Sequence, residues 1–225
     1  MFQTDPFALI VLLIGMSLLP FVAMIATSYL KIVVVMSLIR NALGIQSIPP
    51  NMVINALAMI LTFYIMAPMV GKSWDILQEE RGKNAPIAKI CDTDVAKRAA
   101  EPFREFLVQH TDEKQVAFFV NTAEKLWSER DEKGDVVKQA VVDPKTFYVL
   151  IPAFCVSELT KAFQIGFLVY LPFIAIDIIV SNILLAMGMM MVSPVTISLP
   201  FKLLLFVMVN GWTLLIQGLV QSYVR

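Results

Sequence analysis

What most constrains this chain is where its charges are missing. Residues 6–30, 32–39 and 41–71 carry no charged side chain, whereas positions 72–146 hold 13 of the 18 basic and 15 of the 18 acidic groups. An uncharged run of about twenty helical residues crosses the hydrocarbon of a bilayer. A segment dense in both signs of charge belongs in water. Two solvents have therefore shaped the sequence, and it divides into an apolar flank 1–71, a polar middle 72–146 and a second apolar flank 147–225. The hydrophobic share is 58% and the mean hydropathy +0.73, above the roughly 45–50% apolar content of a soluble domain. The net charge is zero, which argues against a nucleic-acid surface or a polybasic lipid patch.

Residues 6–30 predict a first span, and 52–70 a second after the turn signal Ser47-Ile48-Pro49-Pro50-Asn51. Between them stand Lys31 and Arg40 without an acid, which places that connection in the cytoplasm and the polar middle in the periplasm. Lys202, in a connection read as 193–202, gives the second hairpin the same orientation. Residues 143–191 would make a helix about 70 Å long, more than twice the ~30 Å bilayer core. It must break or extend beyond the lipid. Asp143-Pro144 is read as its N-cap and first turn, Pro152 and Pro172 as kinks, and Gly188 and Pro194 as stops. Four spans are expected, with five as the alternative. The first residues hold Asp5, no basic residue and no small-residue cleavage site, so the first apolar segment is expected to stay in the mature chain. Cys91 and Cys155 lie in unlike environments, and no bond is expected between them.

In the polar middle, Asp112 and Gln115 fit a capping box. Val116, Phe119, Val120, Ala123, Leu126 and Trp127 then share one helical face. Phe103, Phe106, Leu107 and His110 form a shorter stripe. Either stripe is the core of a small helical domain or a surface between copies.

Catalytic chemistry finds no footing. One histidine, His110, excludes a histidine metal cluster or a Ser-His-Asp arrangement within one chain. Gly71-Lys72-Ser73 ends like a phosphate loop, but Met66 stands where its first glycine is required. The carboxylates of 72–146 alternate with cations as on a solvated helix. No cofactor or metal is expected.

Two features stand out in the apolar flanks. Glu158 and Lys161 lie one helical turn apart and can pair, while Asp177 is about 24 Å further along a continuous helix. An unpaired mid-membrane carboxylate costs about 2.5–3.5 kcal/mol on insertion scales, so Asp177 needs a cation on another helix, a neighbouring subunit or water. A structural ion pair and a proton relay both fit. The second feature is Met187-Gly188-Met189-Met190-Met191. Several copies of so adaptable a side chain around an axis would make a soft constriction; ordinary filling between helices is the alternative.

Several segments in order then resemble the SctR/FliP family of type III secretion and flagellar export subunits. They are Arg40-Asn41-Ala42-Leu43-Gly44, Pro49-Pro50-Asn51, Ala67-Pro68, the run from Ser157-Glu158-Leu159-Thr160-Lys161 to Phe167, Pro172-Phe173 and Ile176-Asp177. The methionine stretch, Leu199-Pro200-Phe201-Lys202-Leu203 and Gly211-Trp212 complete the series. The absence of a cleavable presequence favours the injectisome branch. The resemblance implies an inner-membrane subunit present in five copies, assembled with the smaller S-type and T-type subunits, the U-type switch subunit and the needle or rod base. It implies a conduit for unfolded proteins with a gasket of Met187, Met189, Met190 and Met191, and a complex displaced toward the periplasm. Glu158, Lys161 and Asp177 are then subunit contacts or buried ion pairs.

The expected fold is all-α: a polytopic membrane protein in which two helical hairpins flank a small helical extracytoplasmic domain. The expected function is a non-enzymatic export-gate subunit. The alternatives are a small-molecule or ion transporter using Asp177 as a relay, and a membrane-anchored assembly scaffold.

Overall fold

A computed structural model describes residues 6–45, 47–82, 93–130, 136–138 and 141–224. Among them the order is α1 (Pro6–Ile25), α2 (Tyr29–Ala42), α3 (Asn51–Gly82), α4 (Thr93–His110), α5 (Glu113–Trp127), a small antiparallel ribbon β1 (Glu129–Arg130) and β2 (Val136–Lys138), then α6 (Phe147–Ala186), α7 (Pro194–Met208) and α8 (Gly211–Gln221). The chain is a helical polytopic membrane protein. Asn51–Glu79 and Phe147–Ala186 are each long and apolar enough to cross a bilayer, and the count rises to four if α1 with α2 and α7 with α8 each make one broken span.

Several boundaries differ from the sequence reading. The second apolar helix does not stop at residue 70 but continues to Gly82, 32 residues in all. Helix α6 passes unbroken through Pro152 and Pro172 for 40 residues, about 60 Å. A proline removes one backbone donor and crowds the turn before it, but neither proline ends α6. The helix opens at Phe147, not Pro144. Asp143 instead closes a turn ahead of it, its Oδ1 accepting from the Lys145 amide at 2.9 Å while the Thr146 hydroxyl donates to the Asp143 carbonyl at 2.7 Å. Cys91 lies outside the described residues.

The chain separates into two compact units, one of Met1–Leu30 with Met66–Glu158, the other of Lys31–Ile65 with Leu159–Arg225. In the first, both stripes of the polar middle turn inward. Phe106 and Leu107 are buried, and the Phe106 ring lies 5.8 Å from Phe154 and 4.5 Å from His110. His110 is a core residue, with Nδ1 2.9 Å from the Phe106 carbonyl. Val116, Phe119 and Val120 pack on Ala123, Val142 and Val149. Leu126 and Trp127, assigned to the same face, are exposed, Trp127 meeting only the edge of Tyr148 at 5.1 Å. Half of the expected capping box is replaced. The Asp112 side chain accepts from Lys114 N at 3.0 Å, but its own amide donates to Ser157 Oγ of α6 at 3.0 Å instead of to Gln115. That bond joins the start of α5 to the long helix.

In the second unit α2 packs on α6 where Gly166 admits Leu38; a Cβ on Gly166 would collide with that side chain. Phe173, Phe206 and Trp212 form a chain of rings with centroids 6.4 and 5.4 Å apart. Helices α7 and α8 meet at 59° through Asn210, which takes the left-handed conformation at φ 52°. The Phe206 ring occupies the space a Cβ on Gly211 would need.

Candidate functional site: the methionine turn and the buried charges

Helix α6 ends in a hydrogen-bonded reversal that presents the methionines. Gly188 has φ +74°, a region that a Cβ disfavours by about 1–2 kcal/mol. Its amide donates to Leu185 O, and Met189 N to Leu184 O, both at 3.0 Å. This paired arrangement satisfies two carbonyls at the helix end and turns the chain sharply. Ser193 then precedes Pro194, which opens α7 at a position where the missing amide hydrogen is no loss. The tip between is apolar and outward: Met187 is 63% exposed, Met189 45%, Met190 81% and Met191 101%. Four exposed apolar side chains on a hydrogen-bonded reversal mark a surface made to be covered.

Asp177 lies on α6, and its cation is Lys202 of α7. The Lys202 ammonium donates to Asp177 Oδ2 at 2.7 Å and to the Ala42 carbonyl at 3.3 Å, while the Ser198 hydroxyl donates to Asp177 Oδ1 at 2.5 Å. The lysine side chain is only 4% exposed against 31% for the aspartate. Three helices thus converge on the Lys202 ammonium. Lys202 therefore lies inside α7 rather than in the connection assigned to it, and it reports packing instead of orientation. Lys31 is also interior, 2% exposed, with its ammonium 3.5 Å from the centroid of the Tyr223 ring. Two of the three charges used to orient the spans are lost to the interior. Arg40 closes the turn after α2, donating to Asn51 Oδ1 and, at 3.4 Å, to the Pro49 carbonyl.

Glu158 and Lys161 share one turn of α6, the first fully buried and the second half-buried. Both are engaged with neighbours. Ser198, the Ala42 carbonyl and the pairing role of Lys202 were not read from the sequence. A signal was there for Lys202, since Asp177 and Lys202 are the only charged residues between positions 162 and 224. A serine hydroxyl and a backbone carbonyl leave no such trace.

Residues 12–219 match the FliP family. The chain belongs to that family. The chain is similar to several relatives over nearly its full length. The Yop proteins translocation protein R of Yersinia pestis is 49% identical over 222 residues, covering 97% of each chain. The hypersensitivity response secretion protein HrcR of Ralstonia nicotianae is 44% identical over 221 residues, covering 96% of each. The flagellar biosynthetic protein FliP of Bacillus subtilis is 41% identical over 215 residues, 96% of this chain and 90% of that one.

Proposed function

We propose that this chain is a non-enzymatic subunit of the protein-conducting export gate of a type III secretion system, of the injectisome branch. The names borne by its relatives, and their higher identity on the translocation side than on the flagellar side, support that assignment. The observation that carries the mechanism is the methionine turn. Met187, Met189, Met190 and Met191 stand outward on a hydrogen-bonded helix end, available to neighbouring copies. Five copies around an axis would bring some twenty thioether side chains together. Unbranched and deformable, these side chains seal against ions and yield to an extended polypeptide of any sequence.

In this reading the chain sits in the bacterial inner membrane with residues 72–146 on the periplasmic side, flanked by membrane regions 1–71 and 147–225. With Lys31 and Lys202 interior, that orientation draws on Arg40 and on family likeness. Its partners are further copies of itself, the S-type and T-type gate subunits, the U-type switch subunit, the needle or rod base, unfolded secreted proteins and lipid; nucleic acid has no part. Glu158, Lys161 and Asp177 set helix packing and, through it, assembly. The pairing of Asp177 with Lys202 speaks against a proton relay at Asp177, because its charge is already answered within the chain.

Replacing Met187, Met189, Met190 and Met191 by alanine is expected to leave the assembled complex intact on native gels. Its ion conductance in planar bilayers should rise. Wild-type conductance from a correctly assembled variant would remove the seal from the account.

A further inference from the structure

The methionines make no seat of their own: their side chains are exposed, and only backbone bonds fold the tip. What holds the tip must lie in its two stems. Ten residues before Met187, Asp177 receives both the Ser198 hydroxyl and the Lys202 ammonium, which come from the stem that follows the tip. The stems are therefore clamped to each other by charge-assisted hydrogen bonds, a stronger class than neutral ones. The clamped pair also rests on the end of α2. Lys202 reaches the Ala42 carbonyl, and a Cβ on Gly44 would lie 3.8 Å from Val195 Cγ1, ordinary contact distance. Gly44 sits there because α2 ends as α6 does. Its φ is +76°, and the amides of Gly44 and Ile45 return to Asn41 O at 3.0 Å and Arg40 O at 3.4 Å. Two left-handed helix ends, 144 residues apart in sequence, therefore flank the same root of α7.

We infer that the turn after α2 is the seat of the methionine turn: Ala42 and Gly44, acting through Lys202 and Val195, together with Ser198 on Asp177, set where the methionines stand. This rests on the seal proposed above for its consequence in transport, but not for its geometry. Ser198 and Val195 are positioning residues. Neither belongs to the tip, and removing them leaves every methionine and both charges in place.

The test uses the assembled complex carrying Val195→Ala and Ser198→Ala, singly and together; the single variants serve if the pair prevents assembly. Spin labels are attached at Met190→Cys and Ile48→Cys, with Cys91 and Cys155 changed to serine, in copies diluted with unlabelled chain. The distance between labels is read by electron double resonance. The parent is expected to give one narrow distance, and the variants to lose it for a broad distribution. Ser198→Thr, which keeps the hydroxyl, should restore the narrow peak. Without labels, conductance should rise about tenfold, which corresponds to about 1.4 kcal/mol lost from the closed arrangement. A narrow, parent-like distance in the assembled double variant overturns the seat, whatever the conductance. A broadened distance with no leak, matched by no leak from the methionine-to-alanine variant, keeps the seat and overturns the seal.

Discussion

At Gly166 one added carbon would stand 3.2 Å from Leu38 Cβ and 3.3 Å from its Cγ, with the Leu38 Cδ1 closer still. A methyl group there must push α2 off α6, and overpacking of this kind costs about 1–3 kcal/mol. Gly166→Ala is therefore expected to lower the unfolding midpoint in detergent, and adding Leu38→Ala should recover part of the loss. A double variant no better than Gly166→Ala would show that the glycine is required for another reason. The Asp177–Lys202 pair makes a different prediction, because its two members are unequally buried. Removing the carboxylate's charge leaves an ammonium that is 4% exposed with only the neutral Ala42 carbonyl, at 3.3 Å, whereas removing the lysine leaves a carboxylate that is 31% exposed and still bonded to Ser198 at 2.5 Å. Asp177→Asn should cost more than Lys202→Met. The two changes together should cost less than their sum by about 1 kcal/mol or more, as coupled buried partners do. Additive losses in a chemical unfolding series would argue against a direct pair.

The helix ends carry the architecture at the next scale. Gly188→Ala forces a side chain into the left-handed region and should cost about 1–2 kcal/mol, while Gly188→Asn, better tolerated there, should cost less. If the turn positions the methionines, the alanine variant will also leak more than the asparagine one. Equal stability and equal leak in both would mean that the reversal survives without its glycine. Gly188 as a stop was legible because left-handed conformation is written into residue type. Start sites were less so: Asp143-Pro144 has the composition of a helix opening, yet Thr146 and Asp143 settle into a separate turn first. Periodicity located the α5 stripe but not its end, since Leu126 and Trp127 have the right spacing yet stay exposed, Trp127 touching α6 only through the Tyr148 ring. Lys202 was misread because a lone cation in an apolar segment looks like a loop charge until a carboxylate 25 residues earlier is seen to meet it. The turn at Asp143 was decided by local hydrogen bonds, and the place of Lys202 by a tertiary neighbour that local spacing does not show.

For the molecule as a whole, the apolar windows of α3 and α6 are each only 17% buried within the chain. Their remaining surface must face lipid or other subunits, because water would make such exposure untenable. The charge pattern made this legible, and hydropathy found the apolar flanks, though not the break between α1 and α2 or the length of α3. It could not say which exposed faces meet protein, since a lipid tail and a leucine are nearly equivalent to a neighbouring helix. The central claim is that the methionine turn lines the path of an exported polypeptide. The most direct measurement is a photocrosslink from a probe at position 190 to a substrate stalled in transit by a folded domain that cannot pass. The account predicts a crosslink to the stalled chain that disappears when the substrate is released. A probe at 190 that captures lipid alone while the same substrate remains stalled would contradict it.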